Sequence, residues 1–157
     1  MIARLVVLST THRWIVIACT LLLSLLGVRA WQRCLYLEAE KYLREAVARP
    51  TASYLAPKDG EAHYYLGLVL RARGKDREAR AEFERAAWDA GWESPSRYQL
   101  AEMCGAGGDH AGAVAHLDRA LAGNSMHVKA LVLKAAVLRK LGRAKEGSGP
   151  LDRAASL

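Results

Sequence analysis

The chain has few cysteines, and none are paired at a useful spacing: Cys19, Cys34 and Cys104 lie far apart. Without a C-x-x-C pair or a Cys/His set at zinc spacing, a metal-organised fold is not expected. An odd, scattered set gives no disulfide framework either. Catalytic patterns are missing as well. There is no nucleophile elbow, no phosphate-binding glycine loop, no metal-ligand helix and no pair of catalytic carboxylates. Gly105-Ala106-Gly107-Gly108 is rich in glycine, but it follows a helical pattern and lacks a Lys-Ser/Thr partner, so it reads as a turn. The histidines do not cluster, and the six-residue step from His110 to His116 puts them on different helix faces. The expectation is a protein that is not an enzyme, with no cofactor and no metal.

Acidic residues are absent from positions 1–30, which carry Arg4, Arg13 and Arg29. Residues 31–127 hold 13 basic and 14 acidic side chains, and residues 128–157 hold 7 and 2. The net charge of +7 therefore sits at the two ends, and the middle is neutral. At 157 residues the chain is long enough for one core and too short for a two-domain enzyme.

From Trp14 to Val28 no residue is charged, and Trp14 and Trp31 bracket the run. Eighteen residues rise roughly 27 Å, near the lower limit for a ~30 Å hydrocarbon core. The expectation is a single-pass membrane anchor over 14–31, preceded by a basic tail over 1–13. A cleaved signal peptide ending at Val28-Arg29-Ala30 is the rival. Arg29, Arg33, Lys41, Arg44 and Arg49 lean toward a cytoplasmic carboxyl end, but the side of the membrane is left open.

What is abundant is self-similarity. Gly74, Gly108 and Gly142 are each 34 residues apart, and so are Arg85-Ala86, Arg119-Ala120 and Arg153-Ala154. Phe83, Leu117 and Leu151 share the period, as do Gly67, Ala101 and Ala135, and Leu70, Cys104 and Leu138. Five columns in register over three units define a repeat. Small residues at Gly67, Ala79, Ala101, Ala113 and Ala135 let paired helices approach, and the glycines after each first helix suit a left-handed turn. Cys104 falls on a core column, where it acts as a small hydrophobe.

This pattern resembles the tetratricopeptide repeat, a 34-residue pair of antiparallel helices. His63-x2-Leu66-Gly67-x2-Leu70 and Ala79-x3-Phe83-x2-Ala86 match its two helix motifs. Leu100-Ala101-x2-Cys104, Ala113-x3-Leu117-x2-Ala120 and Ala135-x2-Leu138 repeat them, with Lys134 and Gly147 departing from the pattern. The resemblance implies an all-α right-handed solenoid of about three helix pairs, at 60–93, 94–127 and 128–157. Ahead of it, 32–59 supplies a connecting helix to Ala48 and a linker over 49–60; Ala39-x3-Leu43-x2-Ala46 repeats the second-helix motif. Residues 39–157 are further similar to the repeat region of large bacterial proteins that carry a β-rich domain. A fragment or subunit of such a protein, active through the missing domain, is the alternative to a membrane-anchored scaffold.

In this family first helices line a groove for peptides. Helical spacing puts Tyr64, Leu68, Arg71, Tyr98, Glu102 and Arg139 there, followed by Val132, Ala136 and Lys140. The basic clamp that some relatives use for acidic tails is absent, because Tyr64, Leu68, Gln99 and Leu133 stand at its places. Tyr64 and Tyr98 are open to two readings, ligand contact or packing between repeats. The pair Trp88 and Trp92 is expected to seal a repeat junction rather than form an exposed patch. The basic group Lys129, Lys134, Arg139, Lys140, Arg143 and Lys145 is expected to be a solvated solenoid end, and nucleic acid is not an expected partner. Gly147, Gly149 and Pro150 predict a break in the last helix, and with no polar capping helix after it Leu138, Leu141, Leu151 and Leu157 are expected to be partly uncovered and open to self-association.

Overall fold

In a computed structural model, residues 13–48 and 60–156 are described, and they form seven α-helices with no strand among them. These are α1 (Arg13–Ala48), α2 (Gly60–Ala72), α3 (Asp76–Ala86), α4 (Ala90–Ala106), α5 (His110–Gly123), α6 (Val128–Lys140) and α7 (Ala144–Ala155). The basic tail before Arg13, the linker with Pro50 and Pro57, and Leu157 lie outside the described residues. The chain divides into two units, Met1–Glu38 and Ala39–Leu157.

In the first unit α1 exposes Leu21, Leu22, Leu23, Leu25 and Leu26. The expectation of a membrane anchor at 14–31, and of a membrane location, is corrected here. Among the described residues no helix is long and apolar enough to cross a membrane. Helix α1 continues through Arg29, Gln32 and Arg33 without a boundary at Trp31.

The second unit holds the repeats. The last turns of α1 pack through Leu43 and Val47 on a cluster of Leu66, Leu70, Phe83 and Leu100. Ala46, which belongs to the expected motif, is exposed instead. Glu40 does the pinning. Glu40 is 4% exposed; its carboxylate accepts from Arg73 and from Lys75 Nζ at 2.9 Å and forms an ion pair with Arg44 Nη2 at 2.9 Å. A buried carboxylate is costly unless it is fully paired, and three cations on neighbouring turns supply that pairing.

Within each pair the helices meet at the small residues. Ala79, Ala101 and Ala113 are fully buried. A Cβ on Gly67 would lie 2.7 Å from Cε1 of Phe83, so the glycine makes room for that ring. Gly74, Gly108 and Gly142 adopt φ of 75°, 84° and 74°, the left-handed conformation that glycine takes without a Cβ clash. Asp89 Oδ1 accepts from Gly91 N at 3.0 Å, and Asp109 Oδ1 accepts from Gly112 N at 2.8 Å, starting α4 and α5.

The last pair departs from expectation. α7 runs unbroken through Gly147, Gly149 and Pro150. Gly147 is buried, and a Cβ there would meet the Ala135 carbonyl oxygen at 3.2 Å, so glycine brings α7 close to α6. Leu138 is buried at 2%, contrary to the sequence expectation, whereas Leu141 and Leu151 are exposed.

Candidate protein-binding groove

The first helices α2, α4 and α6 carry the candidate residues. One hollow, of about 410 Å³, is lined by Tyr64, Pro95, Tyr98, Gln99, His127 and Lys129. A second, of about 340 Å³, is lined by Arg71, Glu102, His110, Leu133, Ala136 and Lys140. Helix α4 joins them, since it gives Tyr98 to one and Glu102, a turn later, to the other.

A polar network occupies the ridge between the hollows. Arg71 Nη1 donates to Glu102 Oε2 at 2.7 Å and also to Gln99 Oε1. The Tyr98 hydroxyl donates to Glu102 Oε1 at 2.7 Å. Glu102 is thereby satisfied on both oxygens and its charge is offset by Arg71. Burial pushes the Tyr98 phenol up to about 12, helped by the hydrogen bond to Glu102 and by its negative charge. Burial also raises the Tyr64 phenol.

The tyrosines are engaged between repeats. Tyr64 packs on Trp92 with ring centroids 5.0 Å apart, and Tyr98 stacks on His127 at 5.1 Å and 26°. His127 Nδ1 also accepts from Ala130 N at 3.2 Å, capping α6. Each tyrosine thus braces a junction with one edge and lines a hollow with another. Trp92 seals its junction as expected, whereas Trp88 is 79% exposed and does not.

The structure therefore brings together Tyr64, Arg71, Tyr98 and Glu102. Leu68 packs on the first core cluster and lines neither hollow. Arg139 is exposed and lines neither hollow as well. Its repeat equivalent Arg71 reaches across to α4, but among the described residues no first helix follows α6. Sequence reasoning did not name Pro95, His127 and Lys129 as residues lining the hollows. A signal existed, because Pro95 and Lys129 are 34 apart and occupy one repeat column. Cys104 is buried, with Arg80 Nη1 3.4 Å from its sulfur, so it belongs to the core. Among the described residues no group of three His, Cys, Asp or Glu side chains could hold a metal ion.

The family model described as Tetratricopeptide repeat matches residues 25–95. No curated protein matches the chain. Among solved structures, the crystal structure of MamA is 19% identical with a TM-score of 0.66, over 78% of this chain and 68% of that one. A crystal structure titled as MamA protein gives 19% identity and a TM-score of 0.63, over 76% of this chain and 62% of that one. This chain spans less than two thirds of the latter. At such identity the likeness is one of fold. The family model thus covers residues 25–95, and the solved structures share the helical-repeat fold of this chain.

Proposed function

We propose that residues 39–157 act as a scaffold without catalysis of its own, holding a protein or peptide partner against the first helices α2, α4 and α6. The observation that carries this reading is the groove itself. Two hollows lie in line along α4, separated by a polar network whose charges are already matched. Such a surface is pre-organised, so a partner spends little on ordering it. The fold likeness to repeat proteins supports the same reading.

Ala136 gives the cleanest test, because it is exposed and lines one hollow. Ala136→Arg fills that hollow without entering the core. Partner capture from cell extract should fall at least tenfold for this variant while the helical circular dichroism stays unchanged. Trp88→Ala, at an exposed site that lines neither hollow, is the control and should capture normally. Equal capture by Ala136→Arg and the parent would move the binding surface elsewhere.

A further inference from the structure

Four groove positions fall on one stripe of α6. Lys129, Leu133, Ala136 and Lys140 are spaced by four, three and four residues, so their side chains leave one face of the helix. Lys129 lines the first hollow, and Leu133, Ala136 and Lys140 line the second. The stripe is thus apolar in its middle and cationic at both ends. The two lysines are eleven positions apart, a rise of roughly 16 Å along the helix.

The charge balance of the groove decides what fits it. Glu102, its acidic group, is matched by Arg71 and hydrogen-bonded by Tyr98. Lys134, between the two end lysines in sequence, is paired with Asp118 at 2.6 Å. Among the described residues Lys129 and Lys140 form no ion pair, and both are exposed. The groove therefore offers two unmatched ammonium groups with aliphatic carbon between them. Arg143 and Lys145, in the same basic run of sequence, lie on α7 and line neither hollow.

We infer that the partner segment is a short apolar stretch flanked by two carboxylates, one seated on Lys129 and the other on Lys140. This rests on the groove reading above and adds the chemistry of the occupant. An extended chain advances about 3.3 Å per residue, so acids five residues apart match the lysine separation. Exposed ion pairs give modest affinity and mainly set orientation and partner choice, while the apolar middle covers Leu133 and Ala136.

The test uses the full chain and a fluorescein-labelled, end-blocked peptide, Asp-Leu-Ala-Leu-Ala-Asp, read by fluorescence anisotropy. A second peptide has Asn in place of both Asp residues. The Asp peptide should bind at least tenfold more tightly than the Asn peptide at low salt, and the difference should shrink as salt is added. Lys129→Met and Lys140→Met should each weaken it roughly fivefold. The double charge reversal Lys129→Glu with Lys140→Glu should switch preference to a peptide with Lys at both ends. Equal binding of the Asp and Asn peptides would overturn the inference; if Ala136→Arg still blocked both, the groove reading would stand. Binding of the Asp peptide that ignores both Ala136→Arg and the lysine variants would overturn the two together. Displacement of the peptide by oligothymidylate at lower concentration than by unlabelled peptide would make the lysines a general polyanion surface and overturn the inference. So would failure of the Asp peptide to bind at all.

Discussion

At Gly67 two effects of a single methyl group compete. Alanine in a helix is favoured over glycine by about 0.5–1 kcal/mol. Here, however, the new Cβ would stand 2.7 Å from the ring of Phe83, which is fully buried. Overpacking of that kind costs about 1–3 kcal/mol, so Gly67→Ala should destabilise the protein, seen as a lower urea midpoint. Gly105 is the converse case: a Cβ there meets nothing within 4 Å, and Gly105→Ala should raise the midpoint. Tyr98 carries a pH prediction. Its folded pKa of about 12 exceeds the ordinary tyrosine value of about 10, so the folded state holds the proton more tightly than the unfolded chain. The stability contributed is complete below pH 10 and is lost as pH rises toward 12. Phenolate absorbance should show a late step near pH 12 that Tyr98→Phe removes.

Among the helices, α7 is the weakest by construction. Pro150 lies inside it and has no N–H for the Glu146 carbonyl, and its ring crowds that same carbonyl. A proline in a helix interior costs about 3 kcal/mol, yet the helix persists because Gly147 docks it against Ala135. Close packing has overridden local propensity. Pro150→Ala should therefore stabilise α7 by up to about 3 kcal/mol, read as slower amide exchange over 147–154. The last turns of α1 are held differently, by the three cations on Glu40 and by Leu43 and Val47.

Across the repeat array, burial is uneven. Two apolar clusters, one around Phe83 and Leu100 and one around Leu117 and Val137, run through α2 to α6. α7 contributes a single buried residue, Gly147. In a solenoid each unit is stabilised by its immediate neighbours, so opening should begin where fewest contacts hold. Native-state hydrogen exchange should rank α7 fastest and the amides of Leu70, Phe83, Leu100 and Leu117 slowest. Exchange of α7 at the rate of α4 would show that the array opens as one unit.

The sequence by itself determined the helix pairs, because the 34-residue period is written in residue size. Glycine at 74, 108 and 142 takes the left-handed turns, and the small residues at 67, 79, 101 and 113 sit buried where helices meet. The placement of Tyr64, Arg71, Tyr98 and Glu102 on the first-helix faces was legible for the same reason, since periodicity alone assigns a helix face. Periodicity does not say what lies across from that face. Leu68 packs on the core cluster, and Arg139 lies exposed outside both hollows, with no first helix after α6 among the described residues. The apolar run at the amino end looked sufficient for a membrane by composition, but the described helix carries on into charged turns. Tertiary structure likewise divided the basic carboxyl end. It set Lys129 and Lys140 in the groove and paired Lys134 with Asp118, a distinction that depends on neighbours far away in sequence and so is invisible to charge counting.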